Sequence, residues 1–250
     1  MSTKSDDVES RLDTILNETW DIRDGTVLPK TKDVALKNGA VRMDATFLYS
    51  DLAGSTSLQK SYNDTFAAKA LRMYLTGSTT LIRYFGGSIK SFDGDRVMGV
   101  FVGKSMRNDA VKAAYAINWM VKQVIEPKVE ARQKANETTS IWVPKHGIGV
   151  DTGKVFVTRA GIHNKVGEHS HNDLIFVGRA PNIAAKLSSD RSTLSSIAIT
   201  KDVYSVLNPE QRKRNSGEET IWPSGKVETV GPYSLTIYRT DYWRRPSERV

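Results

Sequence analysis

Three short stretches of this chain carry residue types that could act on a phosphorylated substrate together. The first is Phe47-Leu-Tyr-Ser-Asp51-Leu-Ala-Gly54-Ser55-Thr56. Asp51 sets a carboxylate where a buried apolar run should end, and a carboxylate can hold a divalent cation. Gly54, Ser55 and Thr56 put small and hydroxyl residues where a helix should begin, and unpaired N–H groups at a helix start favour phosphate. The second is the tight-turn signal Phe92-Asp93-Gly94-Asp95. If the Phe47–Ser50 strand lies beside that hairpin, Asp51 and Asp95 converge. Two carboxylates at one point repel, and a divalent cation relieves the repulsion. Mg²⁺ is held by one or two carboxylates plus substrate phosphates, and a pair of ions can activate an attacking oxygen and stabilise a leaving one. The third is Gly178-Arg-Ala-Pro-Asn182-Ile-Ala-Ala-Lys186. Asn182 and Lys186 are four apart and share a helix face, with Ile183 and Leu187 on the adjoining apolar face. An asparagine can orient a sugar, and a lysine can neutralise charge that grows on a phosphate during transfer. Taken singly, each stretch reads equally as a plain strand–turn–helix with Ser55 as N-cap, a solvated Gly-Asp turn, and a half-exposed helix.

The elements that must position these residues follow from hydrophobic periodicity. Residues 6–20 predict a helix, with Val8, Leu12, Ile15, Leu16 and Trp20 forming a stripe that must pack on the main body or on a second subunit. Residues 21–40 read as a polar connector. Asp64–Tyr84 predicts a long helix ended by Gly86-Gly87, followed by strands over 88–92 and 95–102. Residues 107–125 predict a helix that Pro127 ends or kinks. Residues 145–150 and 154–158 predict two strands around a turn at Asp151-Thr-Gly153. Residues 161–172, with three of the four histidines, read as a loop. A strand over 173–177, a helix over 178–188 with Pro181 in its first turn, a strand over 196–200, a short helix to Leu207 and tail strands near 220–222, 226–230 and 234–239 complete the chain. Mixed hairpins and helices argue for an α+β sheet covered by helices rather than a doubly wound parallel sheet.

The totals narrow the function classes. The 250 residues suit one large domain with an appendage. The division expected is a helix and connector over 1–40, a catalytic body over 41–240 and a basic tail over 241–250. No apolar run approaches the length of a membrane span, and the N-terminus is polar, without the pattern of a signal peptide. The absence of cysteine rules out disulfides, thiolate metal sites and thiol nucleophiles, which fits a cytoplasmic protein. The net charge of +8 favours anionic partners. The basic residues are spread along the chain, so the expected partner is a nucleotide and not nucleic acid.

The three stretches together resemble the class III nucleotidyl cyclases over residues 41–240. The family's Phe-x-Asp-Ile-x-Gly-Phe-Thr pattern resembles Tyr49 to Thr56, its Gly-Asp hairpin resembles Gly94-Asp95, and its Gly-x-x-x-Asn-x-x-x-Arg helix resembles Gly178, Asn182 and Lys186, with lysine for arginine. Its Gly-Ile-x-x-Gly strand pair resembles Gly149 to Gly153. The resemblance implies the class III cyclase fold, a central, mostly antiparallel sheet of ferredoxin-like or palm type covered by helices. It implies two Mg²⁺ or Mn²⁺ ions held by Asp51, Asp95 and the backbone carbonyl of Leu52. Asn182 would position the ribose, Lys186 would stabilise the transition state, Lys154 stands where a phosphate-binding arginine is common, and Gly54–Thr56 would cradle the phosphates. It also implies a head-to-tail homodimer, with the aspartates from one chain and Asn182 and Lys186 from the other.

The base-reading positions depart from the purine cyclases. Ser91 and Ile175 stand where adenylate cyclases have Lys and Asp; guanylate cyclases have Glu at the first, which is also absent. Lys90 could serve only if the hairpin shifted by one residue. Tyr49 and Arg96 could narrow the base pocket, and a cation suits the two carbonyl oxygens of uracil. The whole chain is similar to the pyrimidine cyclases of bacterial antiphage (Pycsar) systems. That implies conversion of UTP, or else CTP, to a cyclic messenger that acts on a separate effector. The competing expectations are an adenylate cyclase using Lys90, a diguanylate cyclase, and a nucleotide sensor without turnover.

Overall fold

The computed structural model describes residues 3–135, 141–162, 171–190, 192–193, 195–214 and 219–247. In chain order the elements are α1 (Lys4–Asn17), β1 (Asp21–Asp24), β2 (Gly39–Ala53), α2 (Ser55–Ser61), α3 (Asp64–Tyr84), β3 (Ser88–Asp93), β4 (Arg96–Phe101), α4 (Met106–Met120), a π-turn (Val121–Ile125) and α5 (Glu126–Ala135). There follow β5 (Lys145–Ile162), β6 (His171–Val177), α6 (Arg179–Ser189), β7 (Ile197–Thr200), α7 (Lys201–Tyr204), α8 (Pro209–Arg212), β8 (Lys226–Val230) and β9 (Tyr233–Thr240). The chain forms two compact units: a smaller one of Met1–Asp44 and Lys154–Arg179, and a larger one of Ala45–Gly153 and Ala180–Val250. Among the described residues no helix is long and apolar enough to cross a membrane.

In the larger unit the sheet order is β3-β4-β2-β5-β7-β9-β8. β3–β4, β4–β2, β7–β9 and β8–β9 are antiparallel, and β5–β7 is parallel. Side chains alternate between sheet faces with period two. One face sends Leu48, Leu52, Val97, Phe101, Ile148 and Ile197 into a core with Tyr74 and Ile82 of α3 and Val111 and Ile117 of α4. Each fully buried Leu or Ile there stabilises the fold by about 1.5–3 kcal/mol. Asn63 starts α3 by accepting a hydrogen bond from the Phe66 N–H at 2.9 Å. Gly77 lets α3 lie directly against Met120, whose Sδ sits 2.0 Å from where a Cβ would be. The opposite face of the sheet carries α6, with Ile183 and Leu187 packed on Ala198 and Ile237.

The approach of α6 to the sheet depends on Gly149. A Cβ there would lie 2.1 Å from the Ala184 carbonyl oxygen and 2.6 Å from the Ser188 nitrogen. The far end of α6 is tied down by Arg239, which reaches Asp190 at 2.5 Å and Glu228 at 2.7 Å while only 12 % exposed. Burial works against the Asp190 charge. Hydrogen bonds from Ser192 and the Arg239 guanidinium outweigh it and hold the Asp190 carboxyl below the usual carboxylate range.

In the smaller unit β1 runs parallel to the Gly39–Arg42 part of β2, and β6 runs antiparallel to the Phe156–Ile162 part of β5. The Thr158 hydroxyl donates to the Gly39 carbonyl at 2.9 Å, and Trp20 meets Phe156 edge-on at 5.2 Å. Helix α1 opens with a reciprocal capping box between Thr3 and Asp6. It buries none of its residues, so the stripe of Val8, Leu12, Ile15 and Leu16 is exposed.

Several expectations need correction. The turn at Asp151-Thr-Gly153 does not form: β5 runs unbroken from Lys145 to Ile162. Its polar residues have partners across the sheet instead. Thr200 donates to Asp151 at 2.6 Å, and the Thr152 and Thr46 hydroxyls meet at 2.9 Å. Pro127 does not end the helix. The wide π-turn over Val121–Ile125 precedes it, and α5 continues to Ala135. The connector over 21–40 contains β1 and a 3₁₀ turn at Thr31–Asp33. Of the loop expected at 161–172, the first two residues end β5, the last two begin β6, and 163–170 lie outside the described residues.

Two measurements check this packing. Gly149→Ala should push α6 off β5 and cost on the order of 1–3 kcal/mol, seen as a lower Tm; an unchanged Tm would contradict the close approach. Asp190 has a depressed folded pKa, so its stabilisation is complete above its unfolded value near about 4 and is lost as the pH falls through the lower folded value. In urea unfolding at stepped pH, the stability gap between wild type and Asp190→Asn should be constant from pH 7 to about 5 and close below about 4.

Candidate active site

The pairing of β2 with β4 sets the backbone of Asp51 next to the turn that holds Asp95. In the ladder Tyr49 faces Met98, Ser50 faces Val97 and Asp51 faces Arg96. The Leu52 N–H then donates to the Asp95 carbonyl at 3.3 Å, so Asp51 and Asp95 flank one inter-strand hydrogen bond. The alternation directs Leu48 and Leu52 into the helix-covered core and leaves Tyr49 and Asp51 on the other face. Ser50 fixes that register from inside, with its hydroxyl 2.6 Å from the buried Tyr74 hydroxyl. Both Asp51 and Asp95 are half-buried.

Asp51 is reached by α6. The Ser189 hydroxyl donates to Asp51 Oδ2 at 3.0 Å. Ser189 was not anticipated from the sequence, although it lies three residues beyond Lys186. Asn182, Lys186 and Ser189 form one exposed stripe, and Ile183, Ala184, Leu187 and Ser188 are buried behind it. At a rise of about 1.5 Å per residue, Asn182 stands about 10 Å along the helix from Ser189. Lys186 runs across the β8–β9 turn: its Cε is 3.2 Å from where a Cβ on Gly231 would be, and Gly231 has φ +61°. Within one chain, the stripe residue that reaches Asp51 is therefore Ser189 and not Lys186.

β2 gives way to α2 through Gly54, whose φ of +74° suits glycine. Gly54 and not Ser55 is the N-cap of α2, and Ser55 is the first helical residue, with Thr56 next. Both Gly54 and Thr56 are exposed.

Tyr49 and Arg96 do come together. The Arg96 guanidinium lies 5.5 Å from the Tyr49 ring centroid and is clamped by Asp93 at 2.5 Å. Burial raises the Tyr49 hydroxyl above the usual tyrosine range, against the pull of the Arg96 charge. The phenol is therefore a proton donor at neutral pH. Asp93 is the second residue missed in the sequence; its signal is the opposite charge three residues before Arg96. The β3–β4 hairpin also contains the one-residue shift that Lys90 would need. The register jumps between Ile89 and Ser91, which makes Lys90 the extra residue of a β-bulge. Lys154 and Ile175 belong to the smaller unit. Both are exposed, Lys154 on β5 and Ile175 on β6 opposite Thr158.

The donor set suits a hard divalent cation. It is all oxygen, and among the described residues no group of three or more His, Cys, Asp or Glu could enclose a metal. Two carboxylates leave coordination positions for phosphate oxygens, as Mg²⁺ sites in nucleotide enzymes do.

No protein-family profile matches the chain. The chain is 41% identical over 242 residues to the uridylate cyclase of Rhodovulum sp. (strain MB263), which covers 97% of this chain and 98% of that protein. It is 37% identical over 232 residues to the uridylate cyclase of Xanthomonas perforans, with 92% and 94% covered. It is 30% identical over 234 residues to that of Burkholderia cepacia, with 93% and 96% covered. Among solved structures it resembles the adenylyl cyclase CyaB from P. aeruginosa, with a TM-score of 0.60, 22% identity, and 82% of this chain and 97% of that one covered. The guanylyl cyclase Cya2 gives a TM-score of 0.59 and 20% identity, with 82% and 95% covered. A helix-covered, mostly antiparallel sheet of the kind seen in solved cyclases, and 30–41% identity over nearly the full length to three uridylate cyclases, lead to one conclusion: the chain belongs to the uridylate cyclase family.

Proposed function

We propose that the protein converts UTP to 3′,5′-cyclic UMP and pyrophosphate. The observation that carries the chemistry is the hydrogen bond from Leu52 to Asp95, which gives the Asp51 and Asp95 carboxylates a common point of reference on the β2–β4 ladder. Asp51, Asp95 and the Leu52 carbonyl would hold Mg²⁺ or Mn²⁺, two ions per site. When bound, these cations neutralise phosphate charge and acidify the ribose 3′-hydroxyl. Asn182 would hold the ribose so that its 3′-oxygen lies in line with the α-phosphorus. That oxygen forms the new P–O bond as the bond to the β-phosphate bridge breaks. The hydroxyl proton goes to solvent and pyrophosphate leaves. Lys186 would balance the negative charge that builds on the phosphates in the transition state. Gly54, Ser55 and Thr56, with Lys154, would bind the phosphate chain.

The Tyr49–Arg96–Asp93 cluster supports a pyrimidine preference. A half-buried phenol and a clamped guanidinium occupy the sheet face beside Asp51, which shrinks the space for a purine and offers donors to carbonyl oxygens. CTP is the second candidate. The bulge at Lys90 favours one further reading, an adenylate cyclase, because it supplies the hairpin shift that reading requires. Against it stands Ile175 at the position of the partner carboxylate. The stripe on α6 supports a shared site in a head-to-tail homodimer, since Lys186 of the same chain lies over Gly231. In the role proposed, the cyclic nucleotide signals phage infection to a separate effector.

Purified protein offered each of the four nucleoside triphosphates with Mn²⁺ should yield cyclic UMP fastest, as read by mass spectrometry. Turnover of ATP or GTP alone would overturn the pyrimidine assignment. Asp51→Ala should lose at least about 10³-fold in turnover, because the cation loses a ligand. For the shared site, Asp51→Ala and Lys186→Ala proteins should each be inactive, and a 1:1 mixture allowed to exchange subunits should recover about a quarter of wild-type activity. Half of the dimers would be mixed, and each mixed dimer would carry one intact site. No recovery in a mixture shown to exchange would argue for sites built within one chain.

A further inference from the structure

The layer of helices on the far side of the sheet from Asp51 contains a groove that the cyclase reaction does not use. It lies between α3 and α5 and encloses about 920 Å³. Lys69 and Arg72 line it from α3, and Lys128 and Arg132 from α5, with Phe66 and Val129 between them. Among the described residues no carboxylate lines it. Among the described residues none of the four cations is in an ion pair, and the neighbouring Glu130 is engaged by Lys134.

The spacing concentrates this charge. Lys69 and Arg72 are about 4.5 Å apart along their helix, and Lys128 and Arg132 about 6 Å along theirs. Each pair sits at a helix-face spacing, so the two heads of a pair can serve neighbouring anionic groups. Three residues before Lys69 the groove turns aromatic. The Phe66 ring is 5.0 Å from Tyr62 and meets Trp142 edge-on at 6.0 Å. One section of the groove is thus cationic and the next is aromatic, lined by Phe66 and Tyr62.

We propose that this groove is a second ligand site, which takes a nucleoside polyphosphate. The phosphates lie between the two pairs of cations, relieving a repulsion that the fold leaves uncompensated, and the base rests on the Phe66–Tyr62 surface. A bare inorganic anion would satisfy the charge and leave the aromatic section unused. The volume falls within the roughly 300–1,000 Å³ of small-molecule sites. The groove also includes Ser61, Tyr62 and Asn63, which join α2 to α3. Because α2 starts at the Gly54 turn, occupancy here bears on the segment assigned to the substrate phosphates.

Isothermal titration of the full chain in EDTA, where metal-dependent binding at Asp51 is silent, tests the site with ATP, UTP and inorganic tripolyphosphate as probes. The expected result is one nucleotide bound per chain, with affinity that falls as salt rises and is retained in Asp51→Ala. The exposed pair Lys69→Glu/Arg132→Glu should weaken binding at least about tenfold. Lys69→Gln/Arg132→Gln serves if charge reversal disturbs the fold. Phe66→Leu should weaken nucleotide and not tripolyphosphate. Absence of binding by wild type, or equal binding by the folded charge variants, would overturn the proposal. Tripolyphosphate binding as tight as ATP would overturn its nucleoside part.

Discussion

The registration of β2 against β4 is the constraint on which the rest of the site depends. Strand side chains alternate, so a slip of one residue would exchange the two faces of the sheet. Leu48 and Leu52 would leave the core, and Tyr49 and Asp51 would enter it. A buried, unpaired carboxylate is far more costly than a misplaced leucine, so the native register is favoured from both sides. The contact of Ser50 with Tyr74 adds a polar check: both groups are buried, and each satisfies the other. The same ladder that orders the core therefore decides where Asp51 stands relative to Asp95.

A helix proposed to carry substrate-binding groups is best held by its other face. α6 meets this demand by dividing its circumference. Ile183, Ala184, Leu187 and Ser188 are buried, and Gly149 removes the side chain that would keep the helix at a distance. Its end is fixed by the Asp190–Arg239–Glu228 network, which is partly buried and multiply hydrogen-bonded. An ion-pair network of this kind gives geometry more surely than net stability, because desolvation offsets much of the Coulomb gain. Asn182 and Lys186 are left on the exposed stripe, where their polar ends cost nothing to solvate.

Much of this was legible from residue pattern, and the gaps have physical causes. The bounds of α3 and β8 follow directly from periodicity and from their glycine or turn neighbours. Helix α6, with Pro181 in its first turn and its polar stripe, also matches expectation. β5 was read as two strands because Asp151-Thr-Gly153 has turn composition; what keeps it straight is Thr200 and Thr46, far away in sequence. Pro127 was taken as a helix stop or kink; the helix is not stopped, and a π-turn over Val121–Ile125 precedes the proline. At the candidate site, Asp51 and Asp95 were singled out from local spacing, and Tyr49 and Arg96 from departures from the cyclase pattern. Ser189 could not be, because its meaning comes from a hydrogen bond to a residue 138 positions earlier.

Base selection illustrates how a small change in backbone redirects chemistry. Lys90 is the inserted residue of a bulge, next to Ser91, which stands opposite Met98, the cross-strand neighbour of Tyr49. A bulge re-aims side chains that strict alternation would send to opposite faces. The face around Tyr49 can therefore draw on a phenol, the guanidinium of Arg96 and the hairpin's own lysine, with Asp93 limiting the movement of Arg96. These groups donate hydrogen bonds at neutral pH, so they suit a base edge rich in acceptors. Uracil offers carbonyl oxygens at both C2 and C4, whereas the Watson–Crick edge of adenine presents an amino donor in that region. On the proposed reading for UTP, donors placed to meet the two carbonyl oxygens of uracil would face the amino donor of adenine unfavourably. The sequence offers no carboxylate at Ile175, where adenylate cyclases are expected to have one, to accept from that amino group.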